Sequence, residues 1–377
     1  MRHCRIFGLI LAAAQPLLVA GDGTQSSIEE LFNRAVTLQR EGNLKEAESE
    51  YRAILARKPD YAEARANLAA VLIKTDRYEE AVSEYESALR LAPQLAPILL
   101  NLGIAHYRKG EFEKAVDAFK RFLDKSPDNL QAVQLMGLSM LEIGQDREAI
   151  DLLERAVTAG SDDPAALYGL GLARLRLQKP GVPALIERLA HIPNGAAASQ
   201  LLRGQLLLSR GEFERAIVEL QAAASLKPDL PRLQYSLGLC YTKLGRNKDG
   251  LAAFQAELAR APRDFSTLFY LAYLHEAEGD IPAARAKLDA ALALEPESAE
   301  GNTLLGKILV KEGRFREALK PLELAVSKDP SDGEKRYQLG RAYQQLGRGE
   351  DAAREFAESQ RLKAEKLKQD RERIPRP

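Results

Sequence analysis

An all-α solenoid of stacked helix hairpins is the fold this chain predicts, and three periodic features of its 377 residues predict it. A small residue recurs every 34 residues, at Ala35, Ala69, Gly103, Gly137, Gly171, Gly204, Gly238, Ala272, Gly306 and Gly340, with one step of 33 between Gly171 and Gly204. Twelve residues after it stands an alanine, at Ala47, Ala81, Ala115, Ala149, Ala216, Ala284, Ala318 and Ala352, with Pro183 and Gly250 as exceptions. Prolines keep the same beat at Pro59, Pro93, Pro127, Pro228, Pro262, Pro296 and Pro330, while Ser161 and Asn194 fill the slot between the two runs.

Ala96 to Asn129 is the template. Leu99, Leu102, Gly103 and Tyr107 form the inner stripe of a first helix, which Gly110 ends because glycine takes the left-handed conformation of a helix C-cap. Phe112, Ala115, Phe119, Phe122 and Leu123 form the stripe of a second helix, which cannot continue through Pro127. A glycine or alanine at the crossing lets the two axes approach, and the alanine of the second helix meets it with little bulk. One hairpin cannot bury its apolar face, so neighbours must stack and the core grows along the array.

This pattern of small residue, alanine, aromatic and proline at a 34-residue period resembles the tetratricopeptide repeat (TPR) family over about Ile28 to Ala364, in ten units. The resemblance implies a right-handed superhelical solenoid whose first helices line a concave groove that holds a protein or peptide partner.

In chain order, residues 1–21 read as a secretory signal peptide: Arg2 and Arg5, an apolar run from Ile6 to Ala14, and small residues before cleavage after Ala20 or Gly21. A retained signal anchor is the alternative, although the run is short for a membrane span and Pro16 interrupts it. Cys4 precedes the apolar run and does not read as a lipid-bearing cysteine. Cleavage changes the balance from 54 basic against 54 acidic residues to 52 against 54, which offers no basic stripe for nucleic acid. It also leaves Cys240 alone, so no internal disulfide forms, and its slot reads as core. An exported chain of this composition fits a bacterial periplasm or a secreted state.

Residues 28–163 hold four regular units. Residues 164–196 form a degenerate fifth unit whose second half, with Pro180, Gly181, Pro183 and Pro193, leaves room only for a short second helix. This unit reads either as a joint that tilts the two halves of the array or as a drifted repeat. Residues 197–366 hold units six to ten, and residues 367–377 read as a charged tail capping the exposed end of the stack, a basic interaction tail being the alternative.

No chemistry of its own emerges from the chain. Gly301 to Ile308 nearly spells a phosphate-binding loop, and Gly169 with Gly171 a piece of a dinucleotide fingerprint, but both lie inside repeat helices. His106, His191 and His275 are far apart, and no cluster has metal-ligand spacing. No nucleophile and base are paired, so we expect neither an enzyme nor a cofactor.

What remains is a surface. Residues three before, one after and four after the small residue share one stripe of the first helix, which in TPR proteins lines the groove. It holds Leu100, Ile104 and Tyr107; Leu138 and Leu141; Tyr168, Leu172 and Leu175; Leu201 and Leu208; Tyr235 and Leu239; and Phe269 and Tyr273. An open apolar stripe of this size marks an interface, unless its leucines pack between adjacent first helices; the tyrosine hydroxyls favour a wet edge. Two residues before the small residue stand Asn33, Asn67 and Asn101, whose amides offer a donor and an acceptor to a peptide backbone. They resemble the asparagine ladder in the TPR region of O-linked N-acetylglucosamine transferases, although no transferase domain follows. The Lys/Asn clamp of chaperone cofactors is absent, and only units nine and ten turn basic, at Lys307, Lys311 and Arg341. The expected function is an exported scaffold that captures an extended or helical segment; the alternative is a non-catalytic accessory subunit of an envelope enzyme, such as a glycosyltransferase, or of a secretion machine.

Overall fold

The computed structural model describes residues 26–373, and twenty α-helices and no strand occur among them. The expected signal peptide at 1–21 lies outside the described residues. The chain divides into two compact bodies between Leu233 and Gln234.

The first body contains α1 (Ser26–Glu41), α2 (Leu44–Arg57), α3 (Ala62–Lys74), α4 (Tyr78–Leu91), α5 (Ala96–Lys109), α6 (Phe112–Leu123), α7 (Leu130–Glu142), α8 (Asp146–Thr158), α9 (Pro164–Arg176), α10 (Val182–His191), α11 (Ala196–Ser209) and α12 (Phe213–Leu226). The second contains nearly all of α13 (Leu233–Lys243), then α14 (Asn247–Arg260), α15 (Phe265–Glu278), α16 (Ile281–Leu294), α17 (Ala299–Lys311), α18 (Phe315–Lys328), α19 (Gly333–Gln345) and α20 (Gly349–Arg373). Odd-numbered helices are the first helices of the hairpins, and even-numbered helices are the second.

Local sequence sets these limits. In the template hairpin Gly110 sits at φ 82° and its N–H closes onto the last turn of α5. The same turn position is filled by a non-glycine twice, by Asp76 at φ 58° and Gln178 at φ 53°, a conformation that costs an L-residue about 1–2 kcal/mol. Asp163 caps α9 by accepting from the N–H groups of Ala165 and Ala166, with Pro164 pre-setting the first turn. Asp264 caps α15 in the same manner, from the N–H of Thr267 at 3.0 Å.

The crossing inside each hairpin is built differently from the expectation. At the glycines of these crossings the nearest neighbour is the large side chain sixteen residues on rather than the alanine twelve on. A Cβ added to Gly103 would stand 2.5 Å from the Phe119 ring, to Gly204 2.7 Å from Leu220, to Gly238 2.7 Å from Phe254 and to Gly340 2.8 Å from Phe356. The missing Cβ therefore makes a seat for a buried ring or leucine, and the small residue and its large partner form the core of each hairpin. The fifth hairpin departs from this. Sixteen residues after Gly171 comes Glu187, which is exposed, and Leu202 of the next first helix fills the seat instead. Its second helix, α10, is ten residues long against fourteen for α12.

At the C-terminal end, α20 packs on α19 through Phe356 and through the Ser359 hydroxyl, which donates to the Gly333 carbonyl at 2.6 Å. Beyond Leu362 the helix runs on with Lys363 to Gln369 all exposed, so the part of the expected capping tail that falls here, 367–369, stands in solvent rather than over the end of the stack.

Candidate protein-interaction surface

In the first body the stripe is largely closed. Ile104, Tyr107, Leu138, Leu141, Tyr168 and Leu201 are buried, while Leu100, Leu172, Leu175 and Leu208 are half-buried. Leu138 and Leu141 of α7 pack across to α9, where Gly169 has no side chain to keep them out: a Cβ there would meet Leu138 at 2.8 Å. The tyrosines do not keep the wet edge expected of them. Tyr168 is buried with its hydroxyl donating to Gln205 Oε1 at 3.2 Å, and burial pushes its pKa up to about 12. The Tyr107 ring is buried edge-on against Phe112, with centroids 5.7 Å apart. A phenol reaches a polar partner inside the stack, so its hydroxyl does not require water.

The asparagines do not form an open ladder. Asn33 is exposed, Asn101 is half-buried, and Asn67 is buried with its Nδ2 lacking a hydrogen-bond partner. Nearby the Tyr51 hydroxyl donates to Gln39 Oε1 at 2.8 Å. His106 is buried too, its Nδ1 2.7 Å from Glu111 Oε2. Burial pushes the Glu111 carboxyl up, but bonds from Lys109 and His106 outweigh it and hold it at about 2.

In the second body the stripe carries an exposed ring. Tyr235, Leu239 and Phe269 are half-buried and Tyr273 is 41% exposed. They belong to a cluster of rings centred on Tyr270, which stacks on buried Phe254 at 5.3 Å and meets Tyr235, Phe269 and Tyr273 edge-on at 5.9, 5.4 and 6.4 Å. Phe265 extends the cluster by stacking on Phe269 at 6.1 Å. Edge-to-face pairs of this kind hold rings in fixed orientations, so the exposed faces are pre-set rather than free to rotate. Tyr270 stands where the first three repeats carry asparagine, outside the three stripe positions, so the stripe pattern does not single it out.

The basic end of this stripe is already partly answered. Glu276 on α15, 1% exposed, pairs with Lys307 Nζ at 2.7 Å and with Lys311, both on α17. Burial pushes its carboxyl up, but the two lysines prevail and hold it below the usual carboxylate range. The signal was present in the sequence: Glu276 puts a charge in the slot that other repeats fill with Tyr107, Leu141, Leu175, Leu208 and Val310. Cys240, at the start of this body, is buried and its thiol is pushed up to about 12 by that burial, an inert packing residue.

Comparison with known proteins matches this geometry. Tetratricopeptide repeat models match residues 60–124, 109–175, 235–299, 275–334 and 309–365, and a TPR repeat model matches 204–245. The chain belongs to the tetratricopeptide repeat family. A protein of Drosophila melanogaster described as a BBSome complex member BBS4 homolog is 26% identical over 108 residues, 29% of this chain and 22% of that protein, so the chain matches about a fifth of that relative's length. Among solved structures, the APC/C hetero-tetramer Cut9-Hcn1 shares the fold at a TM-score of 0.50 and 13% identity, over 89% of this chain and 87% of that one. Yeast Tom70 aligns at a TM-score of 0.41 and 14% identity over 90% and 93%. The fold is an all-α TPR solenoid, a scaffold for protein–protein interaction and a fold typically without catalysis of its own. No helix among the described residues is long and apolar enough to cross a membrane.

Proposed function

We propose that this protein is an exported scaffold that captures a segment of a partner protein on the first-helix stripe of its second body, through Tyr235, Leu239, Phe269 and Tyr273. One observation carries this reading: a fixed cluster of rings presents Tyr273 to solvent on the stripe that the family uses for partners. Exposed aromatics held rigid by their neighbours bind at low entropic cost, which is why such residues anchor interfaces. Within the first body, Asn33 is exposed and Leu100, Asn101 and Leu172 are half-buried, so packing does not close these expected partner positions. Ile104, Tyr107, Tyr168 and Asn67 serve packing in the free chain. Membership of a larger assembly fits the same surface, since the Drosophila relative is described as a complex member; in that case the partner supplies the catalysis.

The test is retention of partner proteins from envelope extract by the mature chain beside Phe269→Ala/Tyr273→Ala, with circular dichroism showing equal folding. The proposal expects a retained protein to be lost with the variant; equal retention would move the working surface elsewhere. Export is tested by N-terminal sequencing, which should begin at Gly21 or Asp22, and by cell fractionation.

A further inference from the structure

The cluster of Glu276, Lys307 and Lys311 is arranged inside out for a purely structural ion pair. Its carboxylate is 1% exposed, whereas the lysine side chains are 32% and 43% exposed. A buried carboxylate satisfied by one lysine would be neutral; two lysines leave one positive charge over, and that charge faces outward. Each ammonium carries three donors, and the contacts with Glu276 do not exhaust them. The location matters as much as the charge. Glu276, which both lysines meet, lies three residues beyond Tyr273 on α15, one helical turn along the same face. Arg341 repeats the position of Lys307 one repeat further on, with its Nη1 3.4 Å from Gln338 Oε1. Of the other acids near by in sequence, Glu312 pairs with Arg314 at 3.1 Å, Glu278 accepts from Asn247 at 2.7 Å, and Glu300, in the first turn of α17, lies 4.0 Å from Lys335.

Resting on the reading above, we infer that the partner segment is acidic: it places an aromatic or apolar side chain on Phe269 and Tyr273 and, within a few residues, an aspartate or glutamate on Lys307 and Lys311. Glu276 is the positioning residue. Its buried carboxylate draws both ammoniums to one point of α17 and so removes much of the side-chain entropy that a free lysine loses on pairing. Apolar contact supplies the bulk of the affinity, and the charge fixes direction and register along the stripe. An anion alone would find little there, since a single exposed pair with lysine is weak.

The experiment is selection of a phage-displayed library of random dodecapeptides on the full mature chain, followed by resynthesis of an enriched peptide in acidic form and with Asp or Glu changed to Asn or Gln. The expected result is enrichment of sequences that pair an acid with an aromatic. On the wild-type chain the acidic form should bind about tenfold or more tightly than the amide form, as for charge-assisted hydrogen bonds. Glu276→Gln/Lys307→Gln/Lys311→Gln, which leaves no buried charge unpaired, should bind both forms alike, and Tyr273→Ala should weaken both together. If the triple variant fails to fold, Lys307→Gln carries the comparison, because Lys311 still answers Glu276. Enriched peptides without acidic bias, or an acid preference that survives these variants, would overturn the inference while leaving the groove intact. Enrichment insensitive to Phe269→Ala and Tyr273→Ala would overturn the groove reading, and the inference with it.

Discussion

The same slot of the repeat is filled in two ways by Leu138 of the first body and Leu239 of the second. Leu138, one residue after its packing glycine, is buried because Gly169 on the next first helix leaves room for it. Leu239 holds the equivalent place in the second body, where the residue matching Gly169 is the large Tyr270, and Leu239 is half-buried. Bulk at that neighbouring position does not by itself open the slot, since Ile104 faces Leu135 there and is buried. Repeat position alone does not define a groove.

That contrast makes graded predictions. Tyr168→Ala removes a buried ring and should cost about 3–5 kcal/mol, read as a large loss of thermal stability. Gly169→Leu should cost about 1–3 kcal/mol by expelling Leu138, and should raise the solvent exposure of α7 in hydrogen exchange. A parallel contrast exists in the turns, where His106 Nδ1 is 2.7 Å from Glu111 but His275 Nδ1 is 3.8 Å from Asp280. Because the folded-state pKa of Glu111 is depressed to about 2, its contribution is complete above pH about 4.5 and is lost as the pH falls through the folded value. Glu111→Gln should therefore lower the melting temperature at pH 7 and flatten its decline between about pH 4.5 and 2. Gln178→Gly, at a left-handed turn position, should gain about 0.5–1 kcal/mol. Tyr273→Ala, at the exposed ring, should change stability by no more than about 0.5 kcal/mol.

The hairpins were legible because their signals are local and repeated: the small residues, the left-handed turn at Gly110, and the proline after the second helix. The seat occupied by Phe119, Leu220 or Phe254 was less so, since it joins residues sixteen apart on different helices, and the alanine twelve on is the more regular signal. The stripe follows from the helical period of the first helices, but the exposure of its members is set by packing that the period does not specify. That is why Tyr107 and Tyr168 looked like partner contacts in the sequence and are packing residues in the fold. Glu276 was passed over because one carboxylate carries no motif; only the 31-residue step to Lys307 reveals its partner.

The central claim is that the ring cluster of α15, and not the closed stripe of the first body, meets the partner. Site-specific photo-crosslinking in the producing cell tests it most directly, with a benzophenone side chain placed at Tyr273 in one variant and at Tyr168 in another. The account predicts a discrete higher-mass adduct from position 273 and none from 168. Adducts from 168 alone would contradict it.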